Sequence, residues 1–91
     1  MRQLQATRPP AGQPRLQLML RPSCLLCLEA EHVLALAGVD DFERIDIERD
    51  PMLESRYGVR IPVLRNPTSG NELDWPFDAA DITAMRENKA D

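Results

Sequence analysis

The most constraining feature of the chain is an apolar strand that runs straight into a helix. Leu16-Gln17-Leu18-Met19-Leu20 alternates and then becomes continuously apolar, the pattern of a strand buried on at least one face. Arg21-Pro22-Ser23 breaks it. From Cys24 onward Leu25, Leu26, Leu28, Ala30, Val33, Leu34, Leu36 and Ala37 recur with helical spacing, and Gly38 supplies a C-terminal stop. A second strand follows over Phe42 to Ile47, with Ile45 and Ile47 on one face. A strand–helix–strand opening demands a parallel pair joined by a right-handed crossover. Asp50-Pro51 then caps and starts a short helix ending near Tyr57-Gly58. Val59 to Arg65 reads as a third strand containing Pro62. The turn-rich Asn66–Asn71 and the short strand Glu72 to Trp75 complete a hairpin. Asp78 caps a last helix from about Ala79 to Asn88, with Asp81 suited to its positive end. The expected fold is α/β: β-α-β-α-β-β-α, a mixed four-stranded sheet with helices on both faces.

With 91 residues the chain has room for one domain, and only four aromatic residues make its core mainly aliphatic. Residues 1–14 hold Pro9, Pro10, Gly12 and Pro14 and little that is apolar, so a disordered tail is expected before a domain at 15–91. That tail has no apolar core of a secretory signal, and its prolines oppose an amphipathic transit helix, so a reducing cytoplasm is expected. No run approaches the ~20 apolar residues of a membrane span. The net charge of −4 opposes nucleic-acid binding through a basic surface. The charge is uneven: Arg2, Arg8, Arg15 and Arg21 precede the first acid, Glu29.

Two cysteines are too few for the disulfide framework of a small secreted domain or for a self-contained zinc site. They lie as Cys24-Leu25-Leu26-Cys27 where strand meets helix. Unpaired backbone N–H groups and the positive end of the helix dipole there stabilise a negative sulfur, lowering a thiol pKa from its free value of about 8.5. Cys24, in the first turn, becomes the expected nucleophile. Cys27, three residues on and on the same face, is placed to resolve a mixed disulfide. Arg21 is expected to add positive charge. A C-x-x-C beside a strand–helix–strand unit reads as a redox motif. Two packed core cysteines, or a metal site, are the competing readings. His32 lies eight residues beyond Cys24, about 12 Å along a helix, too far to be its base.

The chain resembles the glutaredoxin branch of the thioredoxin-like superfamily over about Leu16 to Glu87, and most closely a group of small bacterial glutaredoxin-like proteins. Three stretches carry the likeness: the strand leading into Ser23-Cys24-Leu25-Leu26-Cys27, the segment Tyr57-Gly58-Val59-Arg60-Ile61-Pro62-Val63-Leu64, and the final hairpin and helix. The resemblance implies a cis Pro62 facing the cysteine pair. It implies that the Ile61 N–H and C=O pair with a bound peptide or glutathione as an added strand. Arg60 is then expected near the Cys24 sulfur or a substrate carboxylate, with a solvated side chain as the alternative. Dithiol members usually carry Pro-Tyr where this chain has Leu25-Leu26. Glutathione-binding members show a Gly-Gly-Ser/Thr-Asp stretch where this chain has Asp74-Trp75-Pro76-Phe77-Asp78; Asp78 keeps an N-cap at that place.

The expected function is a thiol–disulfide oxidoreductase acting as a monomer on protein or glutathione disulfides. No cofactor is bound, and glutathione serves as reductant or substrate. Two alternatives stand beside it: a redox-sensing or partner-binding module without turnover, and a metal or cluster carrier using Cys24 and Cys27 of two chains.

Overall fold

β1 (Gln17–Leu20) is the strand around which the domain is built. The computed structural model describes residues 15–87; the expected tail at 1–14 and the helix end at Asn88 lie outside them. The sheet order is β2-β1-β3-β4. β2 (Glu43–Asp46) runs parallel to β1, with Leu18 opposite Arg44 and Met19 opposite Ile45. β3 (Val63–Arg65) is antiparallel to β1, and β4 (Glu72–Asp74) is antiparallel to β3. The mixed four-stranded sheet and its element order match the expectation from the sequence.

Alternation along the central strands sends side chains into two cores. Leu18, Leu20 and Leu64 face a layer formed by Cys27, Ala30 and Leu34 of α1 (Leu25–Leu36) and Ile82 and Met85 of α3 (Ala79–Glu87). Met19 and Val63 face the other way, onto Ile47 and onto Tyr57 of α2 (Pro51–Tyr57). Covered on both sides, β1 is apolar at every position after Gln17, as a strand inside a helix–sheet–helix sandwich must be.

The ends of the helices follow local chemistry. Asp50 accepts a hydrogen bond from the Met52 N–H at 2.9 Å, and Pro51 takes the first helical position. Asp78 and Asp81 cap α3 reciprocally, each carboxylate accepting the other's backbone N–H at 2.9 and 3.0 Å. α1 stops at Gly38, whose φ of +80° lets the chain turn back so that the Val39 N–H reaches the Leu34 carbonyl at 2.9 Å.

Besides one-residue shifts at the starts of β1 and β2 and the end of β4, three boundaries differ from the expectation for a local reason. Cys24 caps α1 and does not begin it. β2 ends at Asp46, and Ile47–Arg49 forms a 3₁₀ turn because Asp46 accepts from the Glu48 N–H at 2.9 Å. Val59–Pro62 is not strand. The Arg60 and Ile61 N–H groups both bond back to the Tyr57 carbonyl, at 2.8 and 3.1 Å, continuing the helix end as a turn, so β3 starts only at Val63.

Candidate active site

The cysteine pair sits at the N-terminal end of α1. Cys24 is in extended conformation (φ −116°, ψ 112°), and its Sγ accepts a hydrogen bond from the Cys27 N–H at 3.1 Å. The sulfur thus occupies the place of the usual Ser or Asp cap and satisfies one orphan donor of the helix. No acid lies in the first turn of α1 to oppose a negative charge there. The two cysteines are joined in a disulfide with Cα atoms 5.2 Å apart. Their environments are unequal. Cys27 is 2% exposed within the α1–α3 core, whereas Cys24 is only partly buried at its edge.

Around Cys24 the surface is apolar. Leu25 and Leu26, the pair between the cysteines, are 77% and 47% exposed, and Leu28 is 62% exposed. They project from the turn that carries the motif, while Cys27, Ala30 and Leu34 use the other side of the helix for packing. His32 is exposed, as its place on this outer face implies.

Pro62 is fully buried, and the Ile61–Pro62 and Trp75–Pro76 peptide bonds are cis. Ile61 and Cys24 are both partly buried against the α1–α3 core cluster, and Ile61 also packs against the second core. The expected pairing of the Ile61 backbone with substrate needs a correction. Its N–H already donates to the Tyr57 carbonyl, which leaves the carbonyl as its group for a ligand.

Arg60 also departs from expectation. Its Nη2 donates to Glu72 Oε1 and Asp74 Oδ1, both at 2.7 Å, and its guanidinium lies 5.2 Å from the Tyr57 ring centre. It is matched by carboxylates of the hairpin and is neither a lone charge for the Cys24 sulfur nor a solvated side chain. Arg21 is matched likewise. It pairs with Glu54 and, at 3.7 Å, with Glu48, and donates to the Gly58 carbonyl at 3.1 Å. Its charge holds α2 and the turn after it against the loop that precedes the motif. Asp78 serves as the helix cap described above, and it is exposed.

One cluster was missed by the sequence reading. Glu72 Oε2 accepts from the Tyr57 hydroxyl at 2.7 Å, and Arg56 and Arg65 approach the same oxygen at 3.8 and 3.7 Å. Burial by itself would raise the Glu72 carboxyl, but hydrogen bonds from Tyr57 and Arg60 and the nearby guanidinium charge hold it below the usual carboxylate range. Burial, followed by the bond to Glu72, pushes the Tyr57 phenol up. The signal lay in the hairpin register: Arg65 stands directly opposite Glu72, an opposite-charge cross-strand pair. Trp75 is partly buried against the α1–α3 core and meets Phe77 edge to face, with ring centres 5.1 Å apart. Among the described residues no cluster of three or more metal-ligating side chains occurs, and no helix is long and apolar enough to cross a membrane.

Comparison with known proteins agrees with this arrangement. The family model of the glutaredoxin-like domain (DUF836) matches residues 15–85. Two solved structures of the Northeast Structural Genomics target protein XcR50 from X. campestris are similar. Its X-ray structure is 47% identical, covers 79% of this chain and 95% of its own, and superposes with a TM-score of 0.72. Its solution structure is 46% identical, covers 80% of this chain and 92% of its own, and gives a TM-score of 0.72. No curated protein matches the chain. With the thioredoxin-like sheet, the cysteine pair at the start of α1 and a family match over most of its length, the chain belongs to the glutaredoxin-like domain family.

Proposed function

We propose that the protein is a thiol–disulfide oxidoreductase in which Cys24 attacks and Cys27 resolves. The observation that carries this reading is the asymmetry of the pair: a partly exposed Cys24 whose sulfur accepts a backbone N–H at a helix start, bonded to a Cys27 that is 2% exposed. In the reduced protein the Cys24 thiolate attacks one sulfur of a substrate disulfide. The S–S bond breaks, the departing thiolate takes a proton from water, and a mixed disulfide remains on Cys24. The Cys27 thiolate, its proton lost to solvent, then attacks the Cys24 sulfur and expels the second substrate thiolate, which is protonated in turn. Two electrons pass to the substrate and the Cys24–Cys27 disulfide forms. An external thiol, glutathione among them, returns the pair to the dithiol.

The N–H bond and the helix dipole favour the Cys24 thiolate without help from Arg21, whose charge is matched by Glu54 and Glu48. The Ile61 carbonyl is the backbone group offered to a substrate strand, Pro62 walls the groove, and Asp78 shapes its far edge through the α3 cap. Arg60 acts at a distance, by fixing the turn that carries Ile61. The protein works as a cytoplasmic monomer on protein or glutathione disulfides, and the chemistry needs no bound metal or organic cofactor.

The test is turnover of a mixed disulfide coupled to a thiol reductant. Cys24→Ser is expected to abolish it, and Cys27→Ser to accumulate a covalent mixed disulfide visible by mass spectrometry. Reversible oxidation of the pair with no turnover by any thiol donor would instead establish a sensor. Iron or zinc that copurifies with the protein and is lost in Cys24→Ser would establish a carrier.

A further inference from the structure

The residues that surround Cys24 have a chemistry of their own. Leu25, Leu26 and Leu28 are 77%, 47% and 62% exposed, all on the first turn of α1 that holds the cysteines, with Leu25 and Leu28 neighbours at i, i+3. Pro22, also exposed, precedes it. The Arg21 guanidinium donates to the Gly58 carbonyl at 3.1 Å, which brings the next residue, the fully exposed Val59, to the same end of the molecule. Folding leaves these side chains in water, whereas the aliphatic residues one helix face away are buried. Apolar side chains clustered around a reactive group mark a contact surface.

The charges point the same way. The cations on the two segments that flank the pair are already matched, Arg21 by Glu54 and Glu48, Arg60 by Glu72 and Asp74. The whole chain carries −4. In a chain whose overall charge is negative, an anionic substrate therefore finds no guanidinium without a carboxylate beside it on those segments. An uncharged or cationic segment with apolar side chains needs no such partner and buries the leucines.

We infer that the disulfide exchanged at Cys24–Cys27 belongs to a protein segment with apolar, non-acidic residues next to its cysteine, and that the anionic glutathione disulfide is the poorer partner. This rests on the redox reading proposed above and narrows its substrate class. The step is the same exchange: the Cys24 thiolate displaces one cysteine thiolate of the segment, Cys27 displaces the other, and the two electrons of the dithiol pass to the segment's disulfide. Leu25 and Leu28 cover the residues beside the attacked sulfur.

Single-turnover oxidation of the full chain, reduced beforehand and freed of reductant, tests this. The oxidants are oxidised glutathione, bis(2-hydroxyethyl) disulfide, and symmetric disulfides of the peptides acetyl-Leu-Cys-Val-amide and acetyl-Asp-Cys-Asp-amide. Each rate is divided by that of the same disulfide with free 2-mercaptoethanol, which removes intrinsic reactivity. The expected result is an apolar peptide at least about tenfold faster than oxidised glutathione or the acidic peptide, the discrimination one or two aliphatic contacts provide. In Leu25→Ser/Leu28→Ser the ratio of apolar peptide to hydroxyethyl disulfide falls toward that of the uncatalysed reaction. Leu36→Ser keeps it: Leu36 is also exposed, but lies about 18 Å along the helix from Cys24.

Equal or faster reaction with oxidised glutathione overturns the inference, as does a ratio unchanged by the double substitution. A concentration-dependent dimer that disperses in that variant also overturns it, because the leucines would then belong to a second copy of the chain. The redox reading fails separately, if bis(2-hydroxyethyl) disulfide does not oxidise the protein or if Cys24→Ser still reacts.

Discussion

Replacing Glu72 by glutamine isolates what joins the hairpin to α2. The carboxylate accepts from the Tyr57 hydroxyl and from Arg60, each at 2.7 Å, and its side chain is 16% exposed. Glutamine keeps the shape but has one acceptor oxygen where the carboxylate had two, and its amide donors face another donor. Either Tyr57 or Arg60 loses its acceptor. Hydrogen bonds to charged groups contribute about 1.5–3 kcal/mol each, and leaving a buried donor without a partner costs a similar amount. Arg60 is 32% exposed, so water reclaims part of its share, whereas Tyr57 is 2% exposed and its hydroxyl has no such recourse. The expected cost is about 2 kcal/mol. Urea unfolding followed by circular dichroism reads it as a midpoint about 1–2 M lower at unchanged slope. Tyr57→Phe completes a double-mutant cycle with about 1 kcal/mol of coupling. The pH dependence supplies a second reading. Because the Glu72 carboxyl lies low in the folded state, its contribution is present above the ordinary carboxylate range of about 4.3 and is lost as pH falls through the folded value. The Glu72→Gln variant therefore loses less stability on acidification than the parent. A cost below about 0.5 kcal/mol, or strict additivity with Tyr57→Phe, would refute the reasoning.

Three further expectations follow from the same geometry. Burial raises the Tyr57 phenol, so stability is whole below the unfolded value of about 10 and declines as pH rises from there toward the higher folded value; a thermal-melt series through the alkaline range checks this, with Tyr57→Phe losing the effect. Gly58→Ala destabilises the fold although its φ of −52° is ordinary, because the added Cβ would meet the Glu54 carbonyl oxygen at 2.6 Å and Arg21 Nη2 at 3.2 Å; a melting temperature equal to the parent's would contradict this. Leu34→Ala, at a site with no exposure between α1 and the sheet, costs about 2–5 kcal/mol by chemical denaturation, and a loss under 1 kcal/mol would mean that the core collapses around the gap.

Much of the site is legible in the sequence alone. The position of Cys24 at the junction of an apolar strand and a periodic helix is local information, and the cap it forms with the Cys27 N–H follows from that position. The Asp50-Pro51 start of α2 and the Asp78–Asp81 start of α3 are local too, since capping joins residues two or three apart. The roles given to the arginines were not legible. Arg21 stood before the motif and read as a charge for the sulfur; in space it meets Glu54, 33 residues on. Arg60 read as a substrate ligand and instead bridges Glu72 and Asp74. A long guanidinium side chain reaches whichever carboxylate folding brings near, and no spacing rule encodes that choice.

The strand from Val59 fails for a related reason. Val59-Arg60-Ile61 is as β-prone as Val63-Leu64, and propensity does not register that two N–H groups are already taken by the Tyr57 carbonyl. The sequence by itself determined the order of strands and helices, the place of the cysteine pair and the burial of β1 on at least one face, because these rest on periodicities of two and 3.6 and on capping within a few residues. Only the tertiary structure decided which cysteine is the more exposed, which carboxylates the arginines meet and which leucines face water. Those depend on where separate elements meet, and a surface at one helix end is made by chain segments that the sequence holds far apart.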